Sequence, residues 1–187
     1  NRFSSLLLTG LLFAAFSAAV FAQGESQAPQ PAQDLIAAAI KTAQGEKKTV
    51  FVHFGASWCG WCHKLEKMLA SLEVGKIFSD HYVLVGLTVL ESENKKALEN
   101  PGGVAVMSER GGENAGLPFY FFLDQTGKKL ADSMAMPKGG NIGHPANAEE
   151  IQAFMGLIEK TAPRMTADER AKIVEYLTQT MPKPTTR

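Results

Sequence analysis

Apolar positions along the chain change their spacing several times, and each change marks an element. Leu35, Ile36, Ala39 and Ile40 recur at helical intervals, which predicts a short amphipathic helix from Asp34 to near Gly45. A strand-like run follows, Thr49-Val50-Phe51-Val52-His53-Phe54. Beyond a short polar break, Leu65, Met68, Leu69 and Leu72 fall at i, i+3, i+4 and i+7, one face of a second helix. Residues 73–80 add a helical turn carried by Val74, Ile77 and Phe78. Residues 81–90 are almost continuously apolar and valine-rich, the pattern of a strand buried on both faces. A polar helical segment is expected at 92–100, and a glycine-rich irregular stretch at 101–116. An aromatic strand headed by Pro118 runs to Leu123. The turn Asp124-Gln125-Thr126-Gly127 then predicts a hairpin, with residues 128–132 as its return strand. A second glycine-rich loop spans 137–145. Two closing helices each carry a capping-box pattern, Asn147 with Glu150 and Thr166 with Glu169. Helices alternating with strands, then a hairpin, predict an α/β fold: a central sheet of mixed direction flanked by helices, with one extra C-terminal helix.

Composition narrows the class. The chain has 187 residues, is 45% hydrophobic and 20% charged, and so has enough apolar material for one core. Its formal net charge is zero, which gives no footing for nucleic acid. Residues 1–22 read as a signal peptide: Arg2 supplies the positive end, residues 6–21 are apolar and uncharged, and Val20-Phe21-Ala22 matches a cleavage site. A retained membrane anchor is the alternative. Either reading takes the protein out of the cytosol, to the periplasm or beyond. The divisions expected after it are a flexible leader at 23–33, the main domain at 34–162 and a helical extension at 163–187.

The chemistry gathers where the first strand meets the second helix. Cys59 and Cys62, the two cysteines of the chain, lie in Trp58-Cys59-Gly60-Trp61-Cys62-His63. A two-residue spacer closes almost no loop, so a disulfide here adds little stability through chain entropy. At a helix start, free backbone N–H groups favour a thiolate. The pair is therefore a candidate for thiol–disulfide exchange.

With these features in place the chain resembles the thioredoxin superfamily over roughly residues 34–160. The resemblance rests on an apolar strand ending in Trp-Cys-Gly-x-Cys, a later Gly-x-Pro opening a strand, and an Asp-x-x-Gly hairpin. It is similar above all to exported bacterial thioredoxin-like proteins with Trp-Cys-x-x-Cys-His or Lys. The resemblance implies a thioredoxin fold and assigns roles. Cys59 is expected to be the exposed nucleophile and Cys62 the resolving thiol. Trp58 shields the site, while Gly60 and Trp61 shape it from the spacer. Pro118, in the cis form, faces the cysteines, and Leu117 offers backbone to an extended substrate. No cofactor beyond the Cys59–Cys62 disulfide is implied. Partners are proteins with cysteine pairs and a membrane redox protein that recharges the site.

Two positions depart from that pattern. His53 stands six residues before Cys59, where thioredoxins carry a buried aspartate that moves a proton from the second thiol. Trp61 replaces the spacer proline, so the spacer does not decide between reductant and oxidant; the reductant direction is the expectation taken here. His53 is a candidate for proton transfer and His63 for thiolate stabilisation. His81 and His144 read as structural or surface residues. Two other classes compete: a thioredoxin-like binding or chaperone module with incidental redox activity, and a metal site on the cysteines and histidines. The second lacks a four-ligand pattern, and no metal is expected.

Overall fold

The computed structural model describes residues 28–182. The expected signal peptide and the first part of the leader, residues 23–27, lie outside the described residues. The elements run α1 (Ala32–Glu46), β1 (Thr49–Gly55), α2 (Gly60–Leu69), α3 (Val74–His81), β2 (Tyr82–Thr88), α4 (Gly103–Met107), β3 (Phe119–Leu123), β4 (Lys129–Asp132), α5 (Ala148–Thr161) and α6 (Ala167–Thr180). The strands form one sheet in the order β2-β1-β3-β4. β1 pairs parallel with β2 and antiparallel with β3, and β3 pairs antiparallel with β4. This is the mixed sheet of a thioredoxin fold, flanked by helices on both faces.

Alternation along β1 divides the core in two. Val50, Val52 and Phe54 pack with α1 residues Ile36, Ala39 and Ala43 on one face. Phe51 points the other way, into a cluster with Leu65, Phe78, Tyr82, Tyr120, Phe122 and Phe154. Aromatic rings at centroid distances of 4.6–6.1 Å from Phe51 fill that side, well inside the range of favourable ring packing. His53 and Gly55 share the Phe51 face of β1, which is how the strand delivers them to α2.

β2 is an edge strand that packs on both faces: Tyr82 and Leu84 join the Phe51 cluster, and Val83, Val85 and Leu87 the Val50 cluster, with Gly86 exposed. Two expectations change. The stretch 101–116 holds a short helix, α4, followed by a wider turn in which Gly111 takes φ 98°. Two of its glycines serve close packing. A Cβ on Gly103 would lie 2.8 Å from Val89, and one on Gly112 would lie 2.7 Å from Phe119. The leader ends earlier than expected, because α1 already includes fully buried Ala32.

The capping boxes divide as well. Thr166 and Glu169 exchange both bonds. Asn147 accepts from the Glu150 N–H, but Glu150 reaches back to the Ala146 N–H. α6 packs on α3 and α5, with Ile173 and Leu177 fully buried in the same cluster as Phe51. No helix among the described residues is long and apolar enough to cross a membrane.

Candidate active site

β1 ends at Gly55, and the chain turns through Ala56, Ser57 and Trp58 into α2. Cys59 is the N-cap of α2, so its side chain sits where the first-turn N–H groups lack carbonyl partners. Its Sγ accepts a hydrogen bond from the Cys62 N–H at 3.1 Å. Cys59 and Cys62 are joined as a disulfide, with their Cα atoms 5.2 Å apart. The expected exposure of Cys59 is corrected: it is 4% exposed and Cys62 1%. Ala56 and Leu117 pack against the pair and cover it. The Leu117–Pro118 peptide bond is cis, at the entrance to β3.

The two tryptophans beside these cysteines in sequence make different contacts. Trp58 is 59% exposed, and its indole N–H donates to the Leu90 carbonyl at 2.8 Å. Trp61 stacks on His144 at a centroid distance of 6.2 Å, and the Lys64 ammonium lies 4.0 Å from the Trp61 ring centre. Gly60 opens α2, with open space where a side chain would stand.

A cavity of about 370 Å³ opens beside the β1–α2 turn, lined by Gly55, Ser57, His63, Glu66, Gly86 and Glu91 among others. Glu66 is the residue that the sequence reading missed. It lies one helical turn beyond Cys62, so both project from the same face of α2. The point where a Gly55 Cβ would sit is 3.4 Å from Glu66 Oε1 and 3.5 Å from Cys62 Sγ. Glycine at 55 therefore leaves room for carboxylate and sulfur to approach one another. Glu91, also missed, accepts from the Ser57 N–H and from the Ser57 hydroxyl. The Ser57 N–H, then its hydroxyl, hold the Glu91 carboxyl below the ordinary carboxylate range, with burial opposing them. The Glu91 N–H in turn donates to Glu99.

The candidate histidines differ sharply. His63 is exposed, with Nε2 at 3.0 Å from the Ser57 carbonyl and Nδ1 at 3.2 Å from Glu66. The Ser57 carbonyl first, and Glu66 next, raise its imidazole above the ordinary value. His53 lies among protein atoms, and a Cβ on Gly86 would come within 3.1 Å of its ring. Burial lowers its imidazole, and the negative charge of Glu66 works against that shift. Glycine at 86 is what admits this ring between the strands. No group of three or more histidine, cysteine or acidic side chains able to hold a metal ion occurs among the described residues.

An α/β fold with a helix-capping cysteine pair beside a proline loop defines a thioredoxin-like redox domain. The family model described as thioredoxin-like matches residues 31–125, just over half of the sequence, and the chain belongs to that family. No curated protein matches it. Among solved structures it is similar to a disulphide isomerase from Xylella fastidiosa Temecula1 at 15% identity, covering 79% of this chain and 89% of that one (TM-score 0.48). It is similar to the DsbH oxidoreductase at 20% identity, covering 79% and 95% (TM-score 0.45). The reduced C-terminal domain of DsbD from Neisseria meningitidis is 21% identical, with 69% and 96% covered (TM-score 0.43). Family membership together with the closed Cys59–Cys62 pair makes the chain a thiol–disulfide oxidoreductase.

Proposed function

We propose that the chain acts outside the cytosol as a reductant of disulfides in protein substrates, with Cys59 as nucleophile and Cys62 as resolving thiol. In the dithiol form, Cys59 thiolate attacks one sulfur of a substrate disulfide and expels the other as a thiolate. Cys62 then gives its proton to Glu66 and attacks the Cys59 sulfur. That breaks the mixed disulfide, frees the second substrate thiolate and leaves the Cys59–Cys62 disulfide. Two electrons pass to the substrate. A membrane-bound dithiol donor restores the reduced site, and no cofactor takes part. Leu117 offers backbone to the extended substrate beside cis-Pro118, and Trp58, Gly60 and Trp61 frame the entrance. Glu66 is assigned the proton-accepting role first given to His53, because its Oε1 and the Cys62 Sγ each lie within 3.5 Å of the point where a Gly55 Cβ would sit. A cleaved signal peptide at residues 1–22 carries the protein across the membrane; mass spectrometry of the mature protein then finds Gln23 at its N-terminus.

The observation that carries the reducing direction is the charge around the pair. Glu66 and Glu91 both line the cavity beside the turn, and His63 spends its nitrogens on the Ser57 carbonyl and Glu66. Strong oxidants of this chemistry gain their power from a stabilised reduced form. Neighbouring carboxylates do the reverse, since negative charge disfavours a thiolate. The test is the potential of the Cys59–Cys62 pair, equilibrated against glutathione. A value near about −270 mV supports the reductant, and one near about −120 mV reverses the direction. Cys62→Ser should accumulate a mixed disulfide with substrate, and Cys59→Ser should accumulate none. Full function in Cys59→Ser would return the protein to the class of binding modules.

A further inference from the structure

A second cavity, of about 410 Å³, extends from the Leu117–Pro118 segment to His144 and Glu150, two residues to which the exchange chemistry assigns no part. Leu117 joins the two regions, because it packs on the cysteine pair and also lines this cavity. Trp61, Pro118 and Ile142 supply further apolar wall. The loop following β4 shapes the rest. Asn141 donates to the Gly116 carbonyl at 2.7 Å and to the Pro118 carbonyl at 3.0 Å, which fixes that loop against the cis-proline segment.

Two polar groups of this cavity are underused. His144 is 6% exposed, and its Nδ1 is buried with no hydrogen-bond partner among the described residues. Burial, and then the charge of Lys64, push its imidazole down to about 4, so it is neutral near pH 7 and one ring nitrogen is an acceptor. Glu150 uses one carboxylate oxygen to accept from the Ala146 N–H at 2.7 Å, and the other has no partner among the described residues. Glu150 is the one acidic side chain lining the cavity, and no lysine or arginine lines it. Lys64 is engaged at the Trp61 ring outside it.

Apolar walls with acceptors and one carboxylate suit a side chain with a long apolar stem and a cationic head. An acidic side chain would meet Glu150, and an apolar one would leave the acceptors desolvated and unpaired. We propose that this cavity receives an arginine or lysine side chain of the partner protein, located within two residues of the cysteine that reacts with Cys59. Glu150 then selects substrates with basic sequence beside the reactive cysteine. This rests on the reductant reading given above.

The test uses the reduced full chain and blocked five-residue peptides, each with a central cysteine held as a mixed disulfide with 2-mercaptoethanol. One alanine is replaced in turn by arginine, methionine or glutamate at each of the other four positions, and stopped flow gives second-order rates. Arginine at one position should react about tenfold faster than methionine there, the size of one charge-assisted hydrogen bond. Glutamate should be slower than methionine. Glu150→Gln should bring the arginine-to-methionine ratio close to one, and Glu150→Lys should favour glutamate. A ratio close to one at every position in the wild type overturns the proposal, whatever the variants do. So does an arginine preference that survives in Glu150→Gln. Bis(2-hydroxyethyl) disulfide separates the two levels: if the wild type reduces neither it nor any peptide, the reductant reading itself fails and the pocket assignment falls with it.

Discussion

The two cavities beside the Cys59–Cys62 disulfide treat their polar groups in opposite ways. On the Glu66 side, Glu91 takes both bonds from Ser57, Trp58 is tied to Leu90, and His63 bridges Ser57 and Glu66. On the His144 side, His144 Nδ1 is buried without a partner among the described residues, and one Glu150 carboxylate oxygen also has none. A satisfied network holds a turn and its charges in one arrangement. Unsatisfied acceptors raise the free energy of the empty site and lower it again when a donor arrives. One flank therefore sets the chemistry of the sulfurs, and the other is prepared for a partner.

The largest effect expected from this contrast is kinetic. Glu66→Gln keeps the shape of the side chain but removes its basicity, and should slow release of the second substrate thiol by about a hundredfold, in the range typical of a lost general base. Rapid-quench trapping of the mixed disulfide reads that step directly. An unchanged rate would mean that Glu66 serves only to hold His63, and the functional division between the flanks would be lost.

Stability should show the next effect, with a defined pH dependence. The Glu91 carboxyl is held below its ordinary value in the fold, so its stabilisation is full above the unfolded value and is lost as pH falls through the lower folded one. Glu91→Gln should lower Tm at about pH 6, and its deficit should shrink as pH falls through the lowered folded value of wild-type Glu91. A deficit that keeps its size throughout that fall would mean that the Ser57 bonds contribute by geometry alone.

Why the sequence revealed one flank only in part follows from how each residue reaches the site. The cysteine pair, β1 and the aromatic β3 are contiguous signals, and the hairpin turn at Asp124–Gly127 and the Thr166 cap are local chemistry; all were legible. Glu66 was within reach, since i and i+4 share a helix face, but it reads like any solvated acid on α2. Glu91 and His144 come from loops far along the chain, Glu91 34 residues from Ser57, and only tertiary packing brings them in. The valine-rich β2 was legible as a strand packed on both faces, whereas its place at the sheet edge was not. Gly86, whose missing side chain leaves room for the His53 ring, gave no local signal of that contact. Likewise the glycines at 103 and 112 signalled a loop by composition, whereas in the fold they let α4 approach β3 and the end of β2.

Histidine titration followed by NMR sharpens the comparison without any mutation. His63 is raised above about 6.5 by Ser57 and Glu66, whereas His144 is lowered to about 4 by burial and Lys64. The signs for stability are therefore opposite. The contribution of His63 is present below the unfolded value and is lost as pH rises through the raised folded one. That of His144 is present above the unfolded value and is lost as pH falls towards about 4. Two imidazoles titrating together near the ordinary value would erase the distinction between the flanks.

The smallest effect tests the unsatisfied flank at its weakest point. His144→Phe keeps a flat ring against Trp61 and removes the buried nitrogen that has no partner. An unpaired buried polar atom costs more than the apolar group that replaces it, so the variant should gain roughly 0.5–1 kcal/mol, read as a rise in the urea midpoint at constant slope. The same change should weaken discrimination between arginine and methionine peptides, since one of the two acceptors is gone. Higher stability with poorer selection is the signature of a residue retained for binding at a cost to the fold. A loss of stability would instead show that His144 is already satisfied in the free protein, and the two flanks would then differ in charge but not in preparation for a partner.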